Sequence, residues 1–437
     1  MDDYDYDDCE GDDGGWDCVL ENAYLSAKAL MDTDPERCAV ELLNVRRDDP
    51  DGGRWTFKAL KMLARLSIRT RAYENMLRYY EQVCSFRHPD VGKSALQKAM
   101  TKFIEECQRA PSVYVNRALE LTIRVTSADL KSFGRLWFDA KLKRATLLMD
   151  VDELDAALEE LQPVLEWCKE DDQLSSRRRA YLFSCYALIL EAHSKRNDFR
   201  QMRDVFLAAS AVEYTIPPSR ISGSVLECGG KMYMHYRDWS SAFRAFSVAF
   251  RNYNETGDQR KISCLRYLVL ACMLNNTNID PFATQETKTY EELPEIAPVV
   301  QLMKAYADNN IPEFFSAIEK HSESLESDPI VHGCLEPLLE QLRLKALVAY
   351  AVPYTRLSIQ RLEEVLVTGK EEVERLCLRA VMEGRLNAKL DHVNDCIILP
   401  DNRARDPERE RLLLLNHWCA ALLELSRKIY WDHDRGA

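Results

Sequence analysis

Apolar side chains recur along this chain at i, i+3, i+7 and i+10, the spacing that lays one stripe along an α-helix. Five windows carry it: Tyr73, Met76, Tyr80 and Val83; Val115, Ala118, Thr122 and Val125; Leu154, Ala157, Leu161 and Val164; Phe199, Met202, Phe206 and Ala209; Trp239, Ala242, Phe246 and Ala249. Their starts lie about 40 residues apart, room for two helices of roughly 14–16 residues and two turns. That period is slightly longer than a tetratricopeptide (TPR) repeat and close to a HEAT-type repeat. One such pair cannot bury its stripe alone, so neighbours must stack. The pattern predicts a mostly α fold: a right-handed superhelix of helical-hairpin, TPR/HEAT-like repeats over residues 23–335. Gly229-Gly230 stands between two apolar helical patterns and reads as the joint between them.

The last third changes character. Helical patterns around Glu313–Ile318 and Leu335–Tyr350 give way to Pro353–Ile359, which reads as a short extended piece because proline removes a donor and Thr, Ile and Tyr favour strands. Two short helices follow, Gln360–Leu366 and Lys370–Glu383, broken at Thr368-Gly369. Gly384–Asp391 and Val393–Leu399 then read as two strands around a tight turn. Strand, helix, helix, strand, strand is the order of a winged helix, expected over 336–400. Residues 401–411 are polar and charged and read as a linker. Residues 412–437 carry a last amphipathic helix.

Composition fits this picture. Hydrophobic residues make up 46% and charged residues 30% of 437, with 15 Gly and 16 Pro, which favours helix over sheet in a soluble folded chain. No apolar run is long enough to cross a bilayer. The start, Met1–Asp8, is acidic and lacks an apolar core, so it is no secretory signal. The 14 cysteines are scattered without C-x-x-C, several of them (Cys185, Cys264, Cys272, Cys377) in apolar helical context, and are expected as buried thiols.

The net charge of −13 is uneven. Residues 1–22 hold eight Asp, two Glu and no Lys or Arg. Such a block repels itself and is expected to be a disordered tail. It either solubilises the chain or folds over a basic partner or a basic patch of its own chain.

Catalytic signatures fail on spacing. Val91-Gly92-Lys93-Ser94 resembles the end of a phosphate-binding loop, but Arg87 stands where the first glycine belongs. The eight histidines show no H-x-H or H-E-x-x-H, and no Cys/His spacing would hold zinc. Ser224 and Ser241 lack a glycine elbow. No catalytic residue, metal site or enzyme activity is expected.

One constellation stands out. Arg54, Lys58, Lys61, Arg65 and Arg69 lie within about 80° of one another around a helix, a stripe about four turns tall. No Asp or Glu falls between Asp51 and Glu74, and Leu60, Leu63 and Leu66 occupy other faces. The stripe is either a solvated face paired with a neighbouring acidic repeat or the tail, or a docking surface for an acidic protein or a polyphosphate. These five are the candidate partner-binding residues, and Lys58 and Lys61 the candidates for a polyphosphate contact.

Several runs resemble a known family: Glu227–Met232, Phe250–Gly257, Cys264–Ala271, Ile279–Phe282, Pro353–Arg356 and Trp55–Lys61. In order and with few gaps, from about Leu20 to Leu399, they are similar to the second subunits of the COP-nine signalosome. A related proteasome-lid subunit shares the architecture less closely. The resemblance implies a non-catalytic PCI scaffold subunit. Its repeats would grip a cullin and its RING partner so that the ubiquitin-like Nedd modifier is removed by a metalloprotease subunit elsewhere in the complex. Its winged helix and last helix would join the other subunits. It implies an inositol hexakisphosphate contact at the lysine of Trp-x-Phe-Lys, Lys58 here, with the phosphate acting as an intermolecular glue and no other cofactor. It also implies a nuclear and cytoplasmic location. The short Asp-rich start and the Arg-rich 401–411 segment depart from the family. Two other classes stay open: a winged-helix nucleic-acid binder, opposed by Glu371, Glu372, Glu374 and Glu383 on or beside the recognition helix, and a hydrolase assembled from distant residues.

Overall fold

The computed structural model describes residues 16–49, 52–169, 176–212, 218–276, 281–283, 285–392, 394–399 and 407–434. The chain forms two compact units, Met1–Gly229 and Gly230–Ala437. The first holds α1 (Trp16–Ala29), α2 (Pro35–Asp48), α3 (Arg54–Arg69), α4 (Tyr73–Cys84), α5 (Lys93–Cys107), α6 (Ser112–Thr126), α7 (Leu130–Asp150), α8 (Leu154–Lys169), α9 (Ser176–Arg196), α10 (Phe199–Ser210) and most of α11 (Ser219–His235). The second holds α12 (Trp239–Thr256), α13 (Arg260–Leu274), α14 (Gln285–Lys288), α15 (Ala297–Ala307), α16 (Ile311–Lys320), α17 (Ser322–Glu326) and α18 (Pro329–Ala351). After these come β1 (Arg356–Ser358), α19 (Ile359–Leu366), α20 (Lys370–Met382), β2 (Lys389–Asp391), β3 (Cys396–Ile398) and α21 (Pro407–Asp434). Within each unit the helices pack largely in sequence order.

All five stripe windows fall on the second helix of a pair: α4, α6, α8, α10 and α12. In each, the i+3 and i+7 residues are buried. The regular spacing has a local cause in the turns. Arg71, Asp152, Asn197 and Arg237 each adopt a left-handed backbone, φ 57–64°, two residues before the next helix begins. The following N–H reaches back across the turn to close it: Ala72 to the Ser67 carbonyl at 3.0 Å, Glu153 to Leu148 at 2.9 Å, Asp198 to His193 at 3.1 Å and Asp238 to Tyr233 at 3.0 Å. Asp198 and Asp238 then cap the next helix by accepting from the N–H of Gln201 and Ser241. One residue thus ends one helix and starts the next. The α15–α16 pair repeats the device with Asn309 and Asn310, and buries Ile311 and Phe314.

Gly229-Gly230 does not form the joint expected of it. Both glycines lie inside α11, and the turn comes later, at Tyr236 and Arg237. The pair answers a packing demand. In the first unit a Cβ on Gly229 would overlap the Phe206 ring. In the second a Cβ on Gly230 would stand 2.6 Å from the Phe246 ring. Both phenylalanines are i+7 stripe residues that press against helix backbone, and only glycine allows so close an approach.

The winged-helix order is present, with a three-stranded antiparallel sheet in the order β1-β3-β2 and register Arg356↔Ile398 and Lys389↔Ile398. Gly369 starts α20 beyond the expected break. Asp328 ties this region to the repeats. It caps α18 and accepts from Arg266 at 2.9 Å and from the Tyr267 hydroxyl at 2.5 Å, both on α13.

Boundaries need correction in three places. The expected division at 335–336 falls inside α18. The tail expected over 1–22 is helical from Trp16 onward, and residues 1–15 lie outside the described residues. The linker expected over 401–411 is helical from Pro407 onward, and 401–406 lie outside the described residues, as do Ile279, Asp280 and Val393. The described cysteines are free thiols, most of them buried, Cys185, Cys264, Cys272 and Cys377 included. No helix among the described residues is long and apolar enough to cross a membrane.

Candidate docking surface

Helix α3 starts where Asp49 accepts from the Thr56 N–H at 2.9 Å and from its hydroxyl at 2.8 Å. It packs on α2, α4 and α5, and its Trp55, Phe57, Ala59, Leu60, Met62, Leu63, Ala64 and Leu66 are buried. What remains for solvent is narrow. Arg54, Lys58, Lys61 and Arg65 are half-buried and Arg69 is exposed. The sequence-predicted stripe is therefore the outward edge of a core helix. Its first four cations are only partly open to water, and one guanidinium nitrogen of Arg65 is buried.

The environment of the stripe is graded. At its start the Lys58 ammonium sits 4.3 Å from the centre of the Trp55 ring, a cation–π contact that fixes the side chain over the Trp-x-Phe-Lys motif. Trp55 is held in turn by Tyr24 of α1, 5.8 Å between ring centres, and Phe57 by Phe86, at 5.2 Å. Toward its end the stripe meets carboxylates. Arg65 pairs with Glu106 of α5 at 3.1 Å, and Arg69 with Asp32 at 2.5 Å. Nothing local in sequence signalled these two pairs, because Glu106 comes from α5 and Asp32 from the turn between α1 and α2. Part of the stripe's positive charge is thus met within the unit, at Arg65 and Arg69. Lys61 and Arg65 border a crevice of about 10 Å³, too small for more than a water molecule.

A second feature of this unit escaped the sequence reading. A pocket of about 490 Å³ lies between the 85–92 loop and helices α5, α6 and α7. Its lining includes Phe86, Val91, Leu96, Val125 and Phe133, with Arg87, His88 and Lys93 among its polar members. Lys93, the lysine of the phosphate-loop-like run, donates to Asp129 at 2.7 Å and to Ser132 at 3.2 Å. That hydrogen bond holds the Asp129 carboxyl below its usual range. The lysine is therefore engaged with α7 and its cap. Among the described residues, no three His, Cys, Asp or Glu gather where a metal ion would be held.

The winged helix presents a different surface. Leu366, Val373, Leu376 and Ile397 are buried in its own small core, whereas Leu378, Val381 and Met382 at the end of α20 stay exposed. Glu371 and Glu383 are also exposed at its two ends, which disfavours a nucleic-acid phosphate there.

Comparisons with known proteins follow this geometry. The PCI domain matches residues 318–401. Over a longer span the chain is similar to the COP9 signalosome complex subunit 2 of Caenorhabditis elegans, 30% identical over 407 residues, covering 92% of this chain and 82% of that protein. It is similar to the subunit of the same name from Dictyostelium discoideum, 29% identical over 380 residues, with 86% and 84% covered. A lower similarity, 25% over 288 residues, covers 64% of this chain and 66% of the 26S proteasome non-ATPase regulatory subunit 11 homolog of Arabidopsis thaliana.

Proposed function

The chain belongs to the COP9 signalosome complex subunit 2 family, and from that premise we propose that it is a non-catalytic scaffold subunit that binds cullin-RING ubiquitin ligases through its N-terminal repeats. In this reading the α3 stripe meets the ligase through a shared polyphosphate. The ligase is held so that a separate metalloprotease subunit removes its ubiquitin-like modifier. The PCI region and α21 join the other subunits, and the assembly works in nucleus and cytoplasm.

The observation that carries the reading is the shape of α3. A helix buried on every other face keeps a cationic edge in water, with Lys58 fixed by Trp55. Inositol hexakisphosphate suits this edge as a shared ligand. Arg54, Lys58 and Lys61 would supply cations to one side of a polyphosphate and leave its other side to a partner. The phosphate would supply negative charge between two basic surfaces and no bond chemistry.

The test is affinity for a cullin–RING complex with and without inositol hexakisphosphate. Lys58→Glu with Lys61→Glu is expected to lower affinity about tenfold or more at low salt and less at high salt, since exposed charges are screened over about 8 Å at physiological ionic strength. Unchanged affinity at low salt overturns the reading. The pure chain is expected to leave a modified cullin intact, and chelator-insensitive cleavage by it would end the scaffold proposal.

A further inference from the structure

The pocket beside the 85–92 loop has no part in the proposed function, and its chemistry matches a segment of this same chain. Its floor is apolar, from Phe86, Val91, Leu96, Val125 and Phe133, and its volume of about 490 Å³ is that of a side-chain or small-ligand site. Arg87 lies on its rim. The guanidinium donates to two main-chain carbonyls, of Cys84 at 3.1 Å and Phe86 at 2.8 Å, and pairs with no carboxylate among the described residues. Lys93 adds a second cation, offset by Asp129. An occupant with an aromatic anchor between carboxylates fits this lining.

Residues 3–8 read Asp-Tyr-Asp-Tyr-Asp-Asp, and residues 1–15 contain no Lys or Arg. Position favours them too. Tyr24 of α1 touches Trp55 at the start of α3. Phe57, one turn or less into α3, touches Phe86 of the pocket. Gly53, just before α3, lies against His88 so closely that a Cβ there would stand 3.1 Å from the imidazole. The second half of α1, where Tyr24 lies, the start of α3 and the pocket loop therefore share one end of the unit. From Trp16 back to Tyr6 the chain reaches about 35 Å when extended.

We propose that the pocket is the docking site of the chain's own N-terminal segment, with Tyr6 in the apolar floor and the flanking aspartates facing Arg87 and Lys93. Docked there, the acidic segment lies near Arg54, the first cation of the stripe, and competes with an anionic partner. That consequence rests on the proposed function, whereas the docking does not.

The experiment is photo-crosslinking within the full-length chain, free of any partner, with Tyr6→benzoylphenylalanine and peptide mapping of the products. Links within one chain to residues 86–96 or 125–133 are expected. Arg87→Glu should cut their yield about tenfold, through like-charge repulsion, and Arg87→Lys should restore most of it. Should Arg87→Glu fail to fold by circular dichroism, the unaltered chain in rising salt gives the same answer, with yield falling as the charges are screened. Links only to Arg54–Arg69, links between two chains, no links at all, or a yield indifferent to both charge and salt each overturn the proposal. Because no cullin is present, these outcomes are independent of whether the stripe binds one.

Discussion

Helices α12 and α21 carry the same apolar pattern and treat it in opposite ways. In α12 the stripe Trp239, Ala242, Phe246 and Ala249 faces inward, and its last three members are at 0% exposure. In α21 the same i, i+3, i+7, i+10 spacing appears as Leu415, Trp418, Leu422 and Leu425, each more than half exposed at 61, 69, 60 and 56%. Periodicity declares that a helix has an apolar face, but not what covers it. In α12 the cover is supplied by the chain itself, through α13 and the glycine of α11. The α21 face is left to something else, and a contiguous open patch of this kind marks an interaction surface. Under the proposed function, the other subunits of the complex would cover it.

The widest break between the two helices is expected in assembly. Leu415→Glu with Leu422→Glu should abolish co-elution with the remaining signalosome subunits on size exclusion. The melting temperature of the isolated chain should stay put, because exposed substitutions move stability by no more than about 0.5 kcal/mol. A double variant that still entered the complex would show that α21 is not the joining element.

Stability sharpens the contrast from the other side. Phe246→Ala in α12 is expected to cost about 3–5 kcal/mol, the range for a fully buried phenylalanine. Leu422→Ala at the matching position of α21 should cost almost nothing. Gly230→Ala comes next in size. Its new methyl group would stand 2.6 Å from the Phe246 ring, and overpacking of this kind costs about 1–3 kcal/mol. Adding Phe246→Leu should recover part of that loss, a non-additivity expected only of residues in contact. Urea unfolding of these variants together with Phe246→Leu alone, five in all, checks the set, and additive costs would deny that Gly230 exists for Phe246.

Much of this was legible in the sequence, for physical reasons that can be named. The stripes were legible because a helix buries every third or fourth residue, and five windows repeated the demand. The winged-helix order was legible because a proline, a glycine break and β-branched runs fall between short helical patterns. Gly229-Gly230 was misread because glycine serves both turns and close packing, and only the rings of Phe206 and Phe246 tell the two apart. The turn residues Arg71, Asp152, Asn197 and Arg237 gave no common signal, since two are arginines, which rarely take a left-handed backbone. On α3 the stripe was visible and its partial neutralisation was not, because Glu106 lies on another helix, brought close only by packing. The pocket was hidden for the same reason, since Phe86 and Phe133 meet only in the folded unit.

That neutralisation yields the smallest and most discriminating prediction. Arg65 and Glu106 face each other at 3.1 Å with side chains 19% and 34% exposed, so the pair is only partly screened. Glu106→Gln keeps the shape and removes one negative charge beside the stripe. Folding stability should fall by about 1 kcal/mol or less, the usual worth of such a pair. Affinity for an anionic partner should move the other way and rise about twofold at low salt, because Arg65 no longer shares its charge with a neighbour. Lys58→Glu lowers affinity, so the two variants bracket the stripe with opposite signs. Calorimetric titration of both variants against the same cullin–RING complex reads the difference. If Glu106→Gln weakened binding, Glu106 would be holding Arg65 in its docking position, and the ion pair would be part of the surface instead of a brake on it.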